Sequence, residues 1–200
     1  MKIVQMITMC LMLSSFCYPS YANDHEGFIL DALKKDGRFK SFSEAIVNSG
    51  LEQLFSEETK SPKTIYVPTD VAFNNLPDEV KNALANVGNT AAARKLVRTH
   101  YFIGAYDKLE EGQEMKTVNI DGDLVRIYQA KDLFVKDMIV QDQEILVGNS
   151  KVIPINCVMF LQASSTDYRL SLETRNEFPV TTCCLRTEAE VSQFMKGLNY

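Results

Sequence analysis

The chain has 200 residues, 26 acids against 21 bases, a formal charge of −5 and 46% apolar side chains. An acidic surface with scattered bases excludes an electrostatic footprint for nucleic acid or anionic lipid. The length suits one domain plus a tail, and a domain of this size buries about two thirds of its unfolded surface, so it does not need disulfides to fold.

The chain opens with Lys2, an uncharged apolar run from Ile3 to Phe16, and then Ser20-Tyr21-Ala22, which sets small residues three before and one before a cut. That layout predicts a secretory signal peptide over residues 1–22, cleaved after Ala22. Its apolar part is shorter than the ~20 residues a membrane helix needs. A lipid anchor on Cys17 or Cys10 is the competing reading, disfavoured because Phe16 and Met9 stand where a small residue belongs. No later stretch is long and apolar enough to span a bilayer, so the expectation is a soluble, secreted or periplasmic protein. Loss of Lys2 with the leader moves the formal charge from −5 to −6. Three cysteines then remain, Cys157, Cys183 and Cys184. An odd number leaves at least one thiol unpaired or joined between molecules. Cys157 lies in an apolar run, where it is either a buried small hydrophobe or bridged to the tail; Cys183 and Cys184 could also pair with each other.

From His25 to Asp36 the apolar residues Phe28, Ile29, Ala32 and Leu33 fall at helical spacing, with Gly37 placed to end the helix. Ser41-Phe42-Ser43-Glu44 reads as a capping box opening a second helical region, which carries Ala45, Ile46 and Leu54 and is broken near Gly50. Thr64 to Val67 is a short strand. Pro77 suits the first turn of a helix with Val80, Leu84 and Val87 on one face, closed by Gly88-Asn89. Another helix runs from Thr90 toward His100.

Strands follow. Val118-Asn119-Ile120 and Leu124 to Ile127 flank Asp121-Gly122, a two-residue hairpin signal. Phe134 to Val140 and Val152 to Leu161 are further strands, and Pro154 marks an edge or bulge rather than a central ladder position. Helices first and strands later argue for an α+β domain rather than a doubly wound parallel sheet. The regular part ends near Gln162, and residues 163–167 read as a linker. In the tail, Thr187-Glu188-Ala189-Glu190 is a capping box before Val191, Phe194, Met195 and Leu198, one apolar stripe suited to docking on the chain's own domain, with a partner-binding helix as the alternative.

Three segments together resemble the fasciclin (FAS1) domain family. Ile65-Tyr66-Val67-Pro68-Thr69-Asp70-Val71-Ala72-Phe73 is similar to its first motif, with Leu76-Pro77 following at similar spacing. Locally, Thr69 or Asp70 can offer an oxygen to the open amides of a new helical turn. Leu96 to Gly104 resembles the central Tyr-His segment; His100 matches, while Thr99 stands at the tyrosine position and Tyr101 follows. Gly148 to Leu161 resembles the closing motif, with Ser150 for its glycine, Ile153 near its histidine position and Asn156 for its aspartate. The resemblance covers about residues 25–163, leaving residues 164–200 as a tail. It implies a compact wedge of two small β-sheets wrapped by helices, with the strand after Lys63 paired to the one near Ile155. It also implies cell or matrix adhesion outside the cytoplasm. In some animal members adhesion is attributed to the Tyr-His segment and to an Asp-Ile pair before the closing motif. By position these imply partner-binding residues Thr99, His100, Glu144 and Ile145. The alternatives are that His100 is a core histidine ending a helix, where a cation meets the helix dipole, and that Glu144 is a solvated turn residue.

Chemistry-bearing patterns are sparse. There are two histidines, no Gly-x-Ser-x-Gly elbow, no phosphate loop and no dinucleotide fingerprint, and histidine and cysteine spacings do not suit zinc. Asp121 with Asp123 and Glu110 with Glu111 sit at turn-like positions. The expectation is therefore no catalytic, cofactor or metal residue, and a non-catalytic module that contacts a protein or glycan. The alternative is a cell-envelope carrier or scaffold holding a small apolar ligand between helices and sheet; a hydrolase using His100 is a third.

Overall fold

Two strands buried on both faces organise the structure, a computed structural model that describes residues 24–25, 28–56, 61–86, 90–105, 108–136, 138–141, 144–160 and 188–196. The elements in chain order are β1 (Asp24–His25), α1 (Ile29–Asp36), α2 (Lys40–Ser49), α3 (Gln53–Ser56), β2 (Lys63–Pro68), α4 (Asp70–Asn74), α5 (Asp78–Ala85) and α6 (Thr90–Thr99). Then come β3 (Tyr101–Ile103), β4 (Glu114–Val118), β5 (Leu124–Gln129), β6 (Leu133–Val135), β7 (Met138–Ile139), β8 (Ile145–Val147), β9 (Ser150–Ile155) and α7 (Glu188–Lys196). The sequence-predicted leader, the linker and Cys183-Cys184 lie outside the described residues.

One sheet has the order β1-β8-β9-β2-β3 and the other β4-β5-β6-β7. The strand after Lys63 does pair with the one near Ile155: β2 and β9 run parallel from Thr64↔Lys151 to Pro68↔Ile155. Every residue of β2 is buried. Ile65 and Val67 point to a core shared with the helices, where Phe39, Phe42, Ile46, Phe55 and Leu96 are at most 1% exposed. Tyr66 points the other way, into a second core with Phe102, Val125, Ile127, Val135, Met138, Ile155 and Met159. A strand sandwiched in this way reads as a continuous apolar run, as Ile65-Tyr66-Val67 does. Bridges Phe102↔Asn119 and Val140↔Ile155 join the two sheets at both margins.

Several local expectations change. His25 belongs to β1, parallel to β8, and α1 starts only at Ile29; its end at Gly37, φ 71°, is as expected. The Ser41–Glu44 capping box does not form. The helix begins at Lys40, and the Asp70 carboxylate accepts from the amides of Lys40 (3.2 Å) and Ser41 (2.7 Å). That leaves Glu44 to approach Lys40 at 4.0 Å.

The β4–β5 hairpin is present, but its strands end at Val118↔Leu124, so a five-residue loop replaces the two-residue turn. Asn119 is drawn off to bridge Phe102, and its Oδ1 accepts from the amides of Asp121 (3.0 Å) and Asp123 (2.8 Å). Phe134 to Val140 is split into β6 and β7 at Lys136, whose φ is 56°. Pro154 stands in a central strand rather than an edge. Its lost amide is tolerated because β8 pairs only with Ser150 to Val152 and has ended before Pro154.

Helix α7 packs back on the domain. Val191 and Phe194 are buried in the helix-side core, and Phe194 meets Phe160 edge-on with centroids 4.4 Å apart.

Candidate functional site

His100 ends α6 because its ring is satisfied there. Nδ1–H donates to the Leu96 carbonyl at 2.8 Å, one turn back, and Nε2 accepts from the Met159 amide at 2.9 Å. Its own carbonyl accepts from the Tyr66 amide at 3.1 Å, and Phe42 packs edge-on against the ring. One wholly buried residue thus ties α6 and the segment after β9 through its ring and β2 through its backbone. Burial pushes its pKa down to about 4, against a smaller opposing effect of the Leu96 hydrogen bond. The ring is therefore neutral at pH 7, and the favourable meeting of a cation with the helix end does not arise.

Thr99 is buried beside it, its hydroxyl donating to the Lys95 carbonyl at 2.8 Å. Ile145 is buried in β8 within the helix-side core. Glu144 is exposed and pairs with Lys151 at 3.2 Å. The four residues are not gathered on one surface: three are interior, and only Glu144 meets solvent. The first motif places its two polar residues as caps: Thr69 Oγ1 accepts from Ala72 N at 3.4 Å to open α4, while Asp70 serves α2. The turn acids are engaged too, Asp121 with Arg98 and Asp123 with the Asn119 side-chain amide. Cys157 is disulfide-bonded, so it is not the free buried thiol of the first reading. Among the described residues no helix is long and apolar enough to cross a membrane, and no cluster of His, Cys, Asp and Glu is arranged to hold a metal ion.

What the sequence reading missed is an exposed apolar row. The Phe102↔Asn119 bridge sets Ile103 at the register position beside Val118, and Val118 faces Leu124 across the hairpin. These three are 64%, 44% and 52% exposed. The next outward pair is Lys116↔Arg126. Beyond it Tyr128 and Phe134 stack with centroids 4.9 Å apart, the Arg126 guanidinium lying over the Tyr128 ring. The inward residues Val125 and Ile127 alternate with these and are buried. The missed signal was period-2 alternation with apolar residues on both faces at the loop end of the hairpin.

The fasciclin domain family model matches residues 37–161. The chain belongs to the fasciclin domain family. Over 134 residues it is 27% identical to the "Transforming growth factor-beta-induced protein ig-h3" of Sus scrofa, a match covering 66% of this chain and 19% of that protein. The chain thus spans about a fifth of that curated relative. Among solved structures it is similar to a FAS1 domain pair from the insect cell adhesion molecule Fasciclin I. That likeness has a TM-score of 0.55 and 13% identity, over 69% of this chain and 52% of the other, and it concerns the fold. The α+β wedge with two small sheets is the fasciclin fold.

Proposed function

We propose that this fasciclin-domain chain is an exported, non-catalytic adhesion module that contacts a protein partner through the outer face of the β3–β4–β5 corner. The carrying observation is the contiguous exposed row of Ile103, Val118 and Leu124, flanked by Lys116 and Arg126. Solvent-facing apolar side chains next to each other are the composition of a contact surface, whereas scattered single ones need no explanation. The non-catalytic reading draws support from His100, whose two ring nitrogens are both engaged with backbone in the interior. Of the residues singled out by family resemblance, Glu144 can touch a partner directly. Thr99, His100 and Ile145 would contribute by holding the surface in place. The helix–sheet interface is filled by large side chains such as Phe39, Phe42 and Phe55, which favours adhesion over the carrier reading.

The test is an array of matrix proteins, cell surfaces and polysaccharides probed with the full chain and with a Val118→Glu, Leu124→Glu double variant. The expected result is binding to a protein that the double variant weakens at least tenfold. A full chain that binds nothing, or a double variant that binds undiminished, overturns the proposal. Glu144→Lys tests the second surface in the same array, with a smaller loss expected.

A further inference from the structure

In its sheet β4 is an outer strand, with β5 as its neighbour on one side. Two hydrogen bonds fix which way its backbone groups point. The Gln129 amide donates to the Gln113 carbonyl at 3.0 Å, and the Asn119 amide to the Asp123 carbonyl at 3.2 Å. Both pairs continue the β4–β5 register, which runs from Glu114↔Tyr128 to Val118↔Leu124. Antiparallel pairs alternate between those that exchange both bonds and those that exchange none. Residues 113, 115, 117 and 119 therefore turn N–H and C=O to β5, while Glu114, Lys116 and Val118 turn theirs away. On that far side β3 reaches only the end of the strand. The Ile120 amide donates to the Tyr101 carbonyl at 3.0 Å, but β3 stops at Ile103 and the Gly104 amide leaves for the Pro62 carbonyl at 2.8 Å. Among the described residues nothing bonds to the outward backbone groups of Glu114 and Lys116. A lane beside them, in line with β3, is open.

We infer that this lane takes an extended segment of the partner protein as an added strand, one that alternates acidic and apolar side chains. The inference rests on the protein-partner reading above and says how that partner is held. In strand addition the main-chain bonds supply the pairing and alternate side chains supply the choice of partner. On the outer face Glu114 is already engaged by Arg126 at 2.8 Å, whereas Lys116 is exposed and has no acidic partner among the described residues. An acid directly opposite Lys116 completes a cross-strand pair of opposite charge. The next residue of the added strand points to the other face, as Met115 does. Met115 is half-buried against the core of Tyr66 and Phe102, with Leu109 packed on the same cluster, so an apolar side chain opposite it extends that core. Charges on an outer strand discourage indiscriminate pairing, and the same charges favour a strand of complementary pattern. The lane ends against Ile103, so the added strand abuts the exposed apolar row of Ile103, Val118 and Leu124.

The probe is a capped synthetic heptapeptide alternating valine and glutamate, titrated into the full chain with amide hydrogen exchange read by NMR. In the free chain the amides of Met115 and Thr117 should exchange slowly and those of Glu114 and Lys116 fast. The peptide is expected to slow Glu114 and Lys116 at least tenfold. The same peptide N-methylated at alternate amides keeps its side chains but loses its donors, and it should slow neither. Lys116→Glu should abolish the response to the glutamate peptide and create one to a peptide alternating valine and lysine. A merely structural role for Lys116 gives no such exchange of preference. Amides of Glu114 and Lys116 that stay fast at the highest peptide concentration overturn the inference, as does equal slowing by the N-methylated peptide. Slow exchange of these two amides in the free chain that grows with protein concentration means that a second copy holds the edge, and it overturns the inference as well. The array described above separates the two readings. A protein captured there while both amides stay fast removes strand addition alone, whereas an empty array removes the adhesion reading beneath it.

Discussion

His100 shows how a polar side chain becomes a structural pin. Its two ring nitrogens join α6 to the segment after β9, and burial holds its pKa at about 4 against an ordinary 6.5. Because the folded-state pKa lies below the unfolded value, the unfolded chain binds the proton first as pH falls. Stability is fully present above about 6.5 and is lost progressively down to about 4, where the loss reaches about 3 kcal/mol. Urea unfolding midpoints across that window should follow this slope, and His100→Gln should flatten it. His100→Ala should cost about 3 kcal/mol, since it leaves the buried Met159 amide without its acceptor and opens a cavity. At the first motif, Thr69→Ala should cost about 1 kcal/mol through loss of the α4 cap. Asp70→Ala should cost about 1–2 kcal/mol by stripping two amides of α2, measured in the same unfolding experiment. The Thr69 cap was readable because donor and acceptor are three residues apart. Asp70 was readable as a cap but not as the cap of α2, whose amides lie 29 and 30 positions away.

At the scale of elements, the helices follow their apolar periodicity and the strands follow their β-branched runs. Ends deviate where a residue has a better partner elsewhere. Gly50 closes α2 at φ 67°, a conformation that L side chains adopt at a cost, so Gly50→Ala should lose about 1 kcal/mol. In the β4–β5 loop Asn119 replaces the local two-residue turn, because its backbone answers Phe102 while its side chain gathers the amides of Asp121 and Asp123. Asn119→Ala should destabilise by about 2 kcal/mol, and faster amide exchange should be confined to residues 120–123. Asp-Gly was sufficient to locate a turn between two strands. It could not set the turn's length, which depends on a bridge to β3. Pro154 teaches the same lesson: its exclusion from central ladders holds only while both neighbours are present, and β8 stops short of it.

On the scale of the whole molecule, β2 and β9 form a doubly buried centre in the five-stranded sheet, and the Phe102↔Asn119 and Val140↔Ile155 bridges join that sheet to the four-stranded one. That closure turns the hairpin's outer face away from both cores and leaves Val118 and Leu124 in water. Val118→Glu with Leu124→Glu should therefore shift global stability by no more than about 0.5 kcal/mol while weakening partner binding. The same closure draws Thr99, His100 and Ile145 inward and leaves Glu144 at the rim.

From the chain alone came the α+β class, the apolar segments that become the core, the Thr69 cap, the Gly37 helix end and the family resemblance. All of these rest on local spacing or on motif order along the chain. Which polar groups are satisfied by distant partners, whether His100 faces water, and which outward residues lie side by side were decided by tertiary structure. Those properties depend on residues tens of positions apart sharing one hydrogen bond or one strand register, and no periodicity along the chain encodes that meeting.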